Sequence, residues 1–432
     1  MDLASGAAGL FAIGLLFLFM LLSIPVFVSM GLAAFIGFAV VQSPDQALRT
    51  LGQIVWQSSS VFELVAIPLF IFSGLLADRI DAGRDLFDVS KVWVGRIPNS
   101  LGVATIFACG VFAAITGSSL ATAATVGVVS IPLLRTENYS RAQAGGFVAA
   151  GGTLGALFPP SIALILYGVI TETSIGQLFM AGIVPGLIMM SLFAVWVIIS
   201  RPRIVEKSDI SWRARWRTTA KGVGILLLPV MIVTAIYTGA FTPSEVASLA
   251  VAYVCLLGLV QRRLTLGKFI DAGVTAMRIT SMLFMLIVFG QYVAHFMVFE
   301  QVPQEMAQWV MSFHEGAIVT VGAMIVVYIL LGVFLESLAM LLVSVPIFFP
   351  VSQAIGFHPI TFGVFACIAL EIAQIHPPFG VNLFTIHGIS KISIWELAKG
   401  TFPFLLIQVA MLYVIYFFPE LSLWIPQHMM GR

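Results

Sequence analysis

Apolar residues run along this chain in long stretches without charge, separated by short clusters that hold most of the charged side chains. Positions 10–20, 223–236 and 282–289 carry no charged residue at all. They sit within segments near the ~20 apolar residues that span a hydrocarbon core. The pattern predicts helices over 5–22, 24–41, 61–78, 141–172, 177–199, 222–240, 244–261, 276–299, 360–388 and 401–419. Two further apolar stretches, 97–134 and 317–352, each read as a pair of helices.

Composition gives the same reading. Of 432 residues, 60% are hydrophobic and 9% are charged, against roughly 25% charged in a soluble globular domain. A soluble fold cannot cover that much apolar surface, because its outside must meet water. A lipid bilayer supplies the missing solvent. The N-terminal apolar run continues past Pro25 towards Val41, too far for the core of a cleaved signal peptide. A net charge of +1 gives no field for nucleic acid. Cys109, Cys255 and Cys367 lie in apolar segments without metal-ligand spacing and read as small packing residues.

Charge placement sets the topology. Arg201, Arg203, Lys207, Arg213, Arg215, Arg217 and Lys221 make the densest basic run, which is cytoplasmic by the positive-inside rule. Two apolar segments later, Arg262, Arg263 and Lys268 return to the same side. Lys91 and Arg96 precede 97–134, and Arg135 and Arg141 follow it, so this stretch enters and leaves on the cytoplasmic face as a re-entrant hairpin. The pair 317–335 and 338–352 begins beside Glu300, Glu305 and Glu315, on the outer face. The sum is about ten crossings plus two hairpins, one from each face.

Comparing the halves without gaps exposes a duplication. At an offset of 337 − 119 = 218, Ser119-Leu120-Ala121 falls on Ser337-Leu338-Ala339. The same shift places Pro132 on Pro350, Gly145 on Gly363, Pro159-Pro160 on Pro377-Pro378, Gly182 on Gly400 and Pro185 on Pro403. Apolar residues coincide by chance in such a chain; prolines and glycines in one register do not. Five crossings separate the hairpins, so the copies enter from opposite sides. The fold class expected is an all-α polytopic membrane protein, an inverted-topology repeat with two re-entrant helical hairpins and two broken helices.

Non-helical backbone inside a membrane is tolerated only where protein, water or ligand satisfies it. Four breaks are predicted: Thr116-Gly117-Ser118-Ser119 at the first tip, Phe158-Pro159-Pro160-Ser161 in the first broken helix, Glu336-Ser337 at the second tip, and His376-Pro377-Pro378-Phe379-Gly380 with Asn382 in the second. Pro160 removes a helical donor and frees carbonyls near Thr153 and Gly155. Hydroxyls and freed carbonyls are hard oxygen ligands, suited to sodium. One ion site is expected per repeat: Gly117, Ser118, Ser119, Thr153, Pro159 and Ser161 for the first, and Glu336, Ser337, Pro377, Gly380 and Asn382 for the second. A solute is expected between the tips, near Ser118, Ser161, His376 and Asn382. Glu336 reads equally as a functional carboxylate or as a cap on a half-helix. His376 and His387 read as solute contacts or as packing groups; Glu371 and Arg278 read as pairing or snorkelling groups. Thr242-Pro243-Ser244-Glu245 is a capping box with proline at the first helical position.

With these residues in view, the chain resembles the large membrane subunit of tripartite ATP-independent periplasmic (TRAP) transporters over nearly its whole length. The stretches that carry the resemblance are Gly117-Ser118-Ser119, Gly152-Thr153-Leu154-Gly155, Pro159-Pro160-Ser161, Phe179-Met180-Ala181-Gly182-Ile183-Val184-Pro185-Gly186, Phe241-Thr242-Pro243-Ser244-Glu245, and Pro377-Pro378-Phe379-Gly380-Val381-Asn382-Leu383-Phe384. His376 departs from the family pattern, where a small hydroxyl residue is usual before Pro-Pro. The resemblance implies an elevator-type importer in the bacterial inner membrane. It implies a separate small four-helix membrane subunit, a periplasmic solute-binding protein, a small organic acid as solute and sodium as coupling ion, with no other cofactor. The alternative is a carboxylate symporter of the same architecture that works without a binding protein. No haem-ligand pair, cysteine cluster or nucleotide loop supports an enzyme.

The organisation expected is N-terminal scaffold helices with an amphipathic connecting segment (1–96), repeat 1 (97–200), a basic cytoplasmic loop (201–221), scaffold helices and connecting segments (222–314), repeat 2 (315–420) and a C-terminal tail (421–432).

Overall fold

A computed structural model describes residues 5–95, 97–200, 211–312, 317–377 and 380–429. The described residues form helices and connecting turns, with no strand. The first half runs α1 (Ser5–Leu21), α2 (Val26–Val41), α3 (Pro44–Ser59), a 3₁₀ turn (Phe62–Val65), α4 (Ala66–Arg79), α5 (Ala82–Val94), α6 (Ser100–Thr116), α7 (Ser119–Thr136), α8 (Arg141–Gly152), a second 3₁₀ turn (Thr153–Ala156), α9 (Ile162–Thr171) and α10 (Ile175–Ile199). The second half runs α11 (Trp212–Tyr237), α12 (Pro243–Val260), α13 (Leu266–Phe299), α14 (Val302–Ser312), α15 (Ala317–Leu331), α16 (Ser337–Ala354), α17 (Pro359–Ile375), α18 (Val381–Ser390), α19 (Ile394–Phe417) and α20 (Glu420–Gln427).

The duplication seen in the residues extends to the elements. Shifted by 218, α7 covers 337–354, the span of α16, and α10 covers 393–417, one residue more than α19. Likewise α1 falls on α11, α2 on α12, α5 on α14, α6 on α15, α8 on α17 and α9 on α18. The repeat therefore takes in the scaffold helices as well as the hairpins.

One element departs from the symmetry for a local reason. In the second half α13 is a single helix of 34 residues, ~51 Å at 1.5 Å per residue and longer than the ~30 Å hydrocarbon core. The sequence pattern had marked only 276–299 of it. In the first half the same stretch is α3 and α4, bent by 63° at the break between them. Ser58-Ser59-Ser60 stands at the bend where α13 has Ala276-Met277-Arg278. Ser59 and Ser60 donate to the Val55 and Trp56 carbonyls at 2.6 and 2.5 Å. Such back-bonding competes with the helical ladder, whereas Ala, Met and Arg continue it.

Among the described residues, seven helices are long and apolar enough to cross a membrane, or eight with the bent pair. Two of these, α7 and α16, are hairpin arms. Shorter apolar helices among the described residues are α1, α2, α6, α9, α15 and α17. Leu10, Leu18, Leu21, Leu256 and Leu259 stay exposed on α1 and α12, as lipid-facing positions must. Trp56, Trp309, Trp395 and Trp424 are exposed near helix ends, the usual place for aromatic anchors at a membrane interface.

The two repeats interlock in the core. The half-helix α18 packs on hairpin arm α7, α9 packs on arm α16, and α19 lies along α8. Outside them, α13 packs on α2, α4 and α14 and reaches arm α16, α12 packs on α4 and α11, and α1 on α2. The α8–α19 crossing is made at backbone distance: a Cβ on Gly146 would stand 2.5 Å from the Gly400 carbonyl carbon and oxygen. Small residues at such crossings let membrane helices meet closely. Tyr167 on α9 donates to the Pro359 carbonyl at the start of α17, 2.6 Å away, a further tie between the repeats. On the face assigned to the cytoplasm, Arg79 pairs with Asp271 at 2.6 Å and Arg263 with Asp85 at 2.5 Å.

Candidate functional site

The four predicted breaks are real interruptions of helix. The first tip is the Gly117-Ser118 link between α6 and α7, with Gly117 at φ +61°. Ser118 caps α7, its hydroxyl accepting from the Ala121 amide at 3.3 Å. In the first broken helix α8 ends at Gly152 and α9 begins at Ile162, capped by the Ser161 hydroxyl, which accepts from the Leu164 amide at 3.3 Å. The Pro159–Pro160 peptide lies between them. In repeat 2, Glu336 stands at the position of Ser118 and begins α16. The second broken helix stops at Ile375 and resumes at Val381. Pro378 and Phe379 lie outside the described residues.

Tip 1 and break 1 are fitted against each other. The Ile162 amide donates to the Gly117 carbonyl at 3.5 Å. A Cβ on Gly117 would meet the Pro160 carbonyl oxygen, and one on Gly155 would come within 2.7 Å of the Ser119 amide nitrogen. Gly117, Ser118, Ser119, Thr153, Pro159 and Ser161 are thus gathered into one region. Thr153 donates to the Ala150 carbonyl at 2.6 Å and accepts from Gln408 Nε2 of α19 at 2.8 Å.

Repeat 2 is arranged differently. Ser337 accepts from Gln374 Nε2 at 2.9 Å and donates to Glu336 Oε1 at 3.4 Å. Gly380 donates to the His376 carbonyl at 3.0 Å. Asn382, fully buried, turns to the other repeat and donates from Nδ2 to the Ala149 carbonyl at 3.3 Å. His387 lies with Nδ1 2.7 Å from the Ile392 carbonyl.

Both tips reach one central cavity of about 310 Å³. The first turn of α7 supplies Ser118 to Ala121, and the first turn of α16 supplies Ser337 and Leu338, with Glu336 before it. The base of α17 adds Leu370, Glu371 and Gln374, and α13 adds Ile279, Met282 and Leu283. Gly117, Ser118, Ser119, Glu336 and Ser337 therefore share a cavity, as expected for tips that face each other. Ser161, His376 and Asn382, named with Ser118 as solute contacts, are not among the residues lining it.

Sequence reasoning left Glu371 as a pairing or snorkelling group and overlooked Gln374 and Gln408. Glu371 is 3% exposed and accepts a 2.6 Å hydrogen bond from the Ser119 hydroxyl, joining α17 of repeat 2 to the tip of hairpin 1. Its other oxygen, Oε2, has no partner; nor do Gln374 Oε1, Asn382 Oδ1 or Gln408 Oε1, all buried. The available signal was three acidic or amide side chains set in otherwise apolar stretches, two of them three residues apart and so on one helix face.

The cavity borders a recess at one face. Asp78, Ala124 and Thr125 line it and also a wider recess of about 810 Å³ shared with Asp81, Arg84, Asp88 and Lys91. By the placement of basic residues that face is cytoplasmic. A separate recess of about 440 Å³ between Gln57, Ser58, His295 and Pro350 shares no lining residue with the cavity.

Two inverted halves, each with a hairpin and a broken helix, closing on one cavity, define a secondary transporter of the membrane. The solved structure of the YdaH transporter of Alcanivorax borkumensis has the same fold: the superposition covers 90% of each chain with a TM-score of 0.62 at 16% identity. Residues 13–421 match the family described as tripartite ATP-independent periplasmic transporter, DctM component, and the chain belongs to that family. It is 35% identical to the C4-dicarboxylate TRAP transporter large permease protein DctM of Pseudomonas aeruginosa, over 89% of this chain and 90% of that one. It is 34% identical to the sialic acid TRAP transporter large permease protein SiaM of Vibrio cholerae, over 86% of this chain and 87% of that one. The chain is a multi-pass membrane permease and not an enzyme.

Proposed function

We propose that this chain imports a small organic acid across the bacterial inner membrane by sodium symport, as the moving subunit of a binding-protein-dependent system. The convergence of both hairpin tips, one from each inverted repeat, on a single cavity carries this reading. A cargo held there touches both halves, so exchanging the conformations of the two halves moves it from one face to the other. In this elevator the interlocked block of α6–α10 and α15–α19 travels against the scaffold. Family membership supports a periplasmic binding protein as the source of solute and a small membrane subunit, expected to have four helices, as the completion of the scaffold.

Sodium is proposed to sit in two places. One is the region of Gly117, Ser118, Ser119, Thr153, Pro159 and Ser161, where a tip carbonyl and hydroxyls meet a broken helix. The other is the region of Glu336, Ser337, Pro377, Gly380 and Asn382, where the unpartnered Asn382 Oδ1 offers a buried oxygen. Discontinuous helices supply such oxygens in sodium-coupled carriers.

The test is uptake into proteoliposomes holding the chain with its small subunit and binding protein. Accumulation should follow an inward sodium gradient and vanish when potassium replaces sodium. Ser119→Leu and Asn382→Leu should each abolish sodium-dependent uptake while the protein still folds. Accumulation indifferent to sodium, or normal sodium dependence in both variants, would sink the assignment. Uptake that persists without any binding protein selects the symporter that needs none.

A further inference from the structure

The hairpin arms that border the central cavity can be matched residue by residue at the offset of 218. Leu120 of α7 and its mate Leu338 of α16 both line the cavity. Further along α7, Val128 and Pro132 line the recess of about 810 Å³ on the cytoplasmic side. Their mates on α16, Pro346 and Pro350, line the separate recess of about 440 Å³. The α13 wall of that recess is Ile287, Gln291, Ala294, His295 and Val298. These positions are at the end of α13 remote from the basic cluster of Arg262, Arg263 and Lys268, so the recess lies at the outer face. The two recesses are equivalent parts of the inverted repeat, one on each side of the membrane. At the position between, the two sides differ. Ala124 of α7 lines both the cavity and the inner recess, which adjoin there. Its mate Leu342 is 1% exposed and lines neither the cavity nor the outer recess. Leu342 stands four residues from Leu338 and four from Pro346, so the three share one helix face. It is packed on α13, where a Cβ added to Gly290 would stand 2.7 Å from the Leu342 Cβ. Along α13, Gly290 falls between Leu283, which lines the cavity, and Ala294, which lines the recess.

We propose that the outer recess is the entry half of the solute's path, and that Leu342 seated on Gly290 is the seal that closes it in this state. The inference rests on the proposed function and assigns the route that its organic acid takes. Glycine at 290 lets α13 and hairpin 2 meet without a side chain between them. Displacement of α16 along α13 unseats Leu342 and joins the recess to the cavity. On the inner side the mate of Gly290 is Phe72 of α4, and Ala124 closes against that helix as the halves exchange conformations. An organic anion entering the outer recess meets the amide, hydroxyl and imidazole groups of Gln57, Ser58, Gln291 and His295, and no carboxylate stands among the lining residues.

The experiment labels single cysteines with a small impermeant thiol reagent, in sided vesicles carrying the full chain and its small subunit, without solute or binding protein. In a cysteine-free background, Leu342→Cys should react from neither face. Leu338→Cys, in the cavity, should react from the cytoplasmic face and only slowly from the periplasmic one. Adding Leu342→Ala, the residue its mate has, should speed the periplasmic reaction of Leu338→Cys at least about tenfold, because the packing lost favours only the sealed state. Leu342→Met, of similar volume, should keep the slow rate. Ala294→Trp, which fills the recess, should slow the Leu342→Ala chain again. Continued reaction of Leu338→Cys from the cytoplasmic face shows that each variant is folded. Leu342→Cys reacting from outside, a Leu342→Ala chain no faster than its parent, or one indifferent to Ala294→Trp overturns the inference. Sodium-driven uptake by the unaltered chain tests the proposed function separately, so the two can fail independently.

Discussion

Replacing Gly117 with alanine attacks the contact on which the proposed first ion region is built. Gly117 sits at φ +61°, where a residue with a Cβ is strained by about 1–2 kcal/mol. The new methyl would also meet the Pro160 carbonyl oxygen, a backbone atom that cannot rotate away. Relieving such overpacking costs about 1–3 kcal/mol. Together these give a loss of about 2–5 kcal/mol, enough to move the tip off the broken helix. The natural control is Gly388→Ala on α18, where an added Cβ has no neighbour within 4 Å. There alanine should stabilise by about 0.5–1 kcal/mol through helix propensity. The assay is unfolding in nanodiscs followed by sodium titration of the surviving protein. Gly117→Ala should unfold earlier than the parent and need at least about tenfold more sodium for its stabilisation, a shift of some 1.4 kcal/mol. Equal stability and an equal sodium midpoint in Gly117→Ala would refute the claim that tip and break form one site.

Other expectations concern the frame around that site. Gly146→Leu should drive α19 away from α8 and lower the unfolding temperature more than Leu substitution at Gly52, where nothing lies within 4 Å of an added Cβ. Tyr167→Phe removes the hydrogen bond to the Pro359 carbonyl and should cost about 1 kcal/mol in the same assay. The Arg263–Asp85 pair is partly solvent-exposed, so a double-mutant cycle at these positions should give no more than about 1 kcal/mol, shrinking with added salt. In a cysteine-free background, Arg262→Cys and Gln301→Cys should react with an impermeant maleimide from opposite faces, since α13 alone separates them.

Most of the frame could be read from the residues because it is written locally. Paired prolines, tip glycines and charge-free stretches act on the backbone where they stand, and their recurrence at 218 revealed the repeat. The bend between α3 and α4 is also local, but its serines become conspicuous only beside the unbroken α13. The site is legible in part. Ser118, Ser119, Glu336 and Ser337 announce themselves as polar residues at predicted tips. The partners that orient them do not, because Ser119–Glu371, Gln408–Thr153 and Asn382–Ala149 join residues more than 230 positions apart. Nothing in spacing tells which repeat a buried amide will face. Asn382 illustrates this: its position after Pro-Pro suggested the second tip, and its side chain crosses to α8.

The transport account stands or falls on whether one cavity is reached from both sides of the membrane. A single cysteine at Leu338, on the tip of hairpin 2 and in the cavity lining, reports this in sided membrane vesicles carrying the whole transport system. An impermeant thiol reagent should reach it from the cytoplasmic face at rest, as the recess past Asp78 indicates, and from the periplasmic face once sodium and loaded binding protein are supplied outside. Labelling confined to the cytoplasmic face under every condition would contradict alternating access at this site.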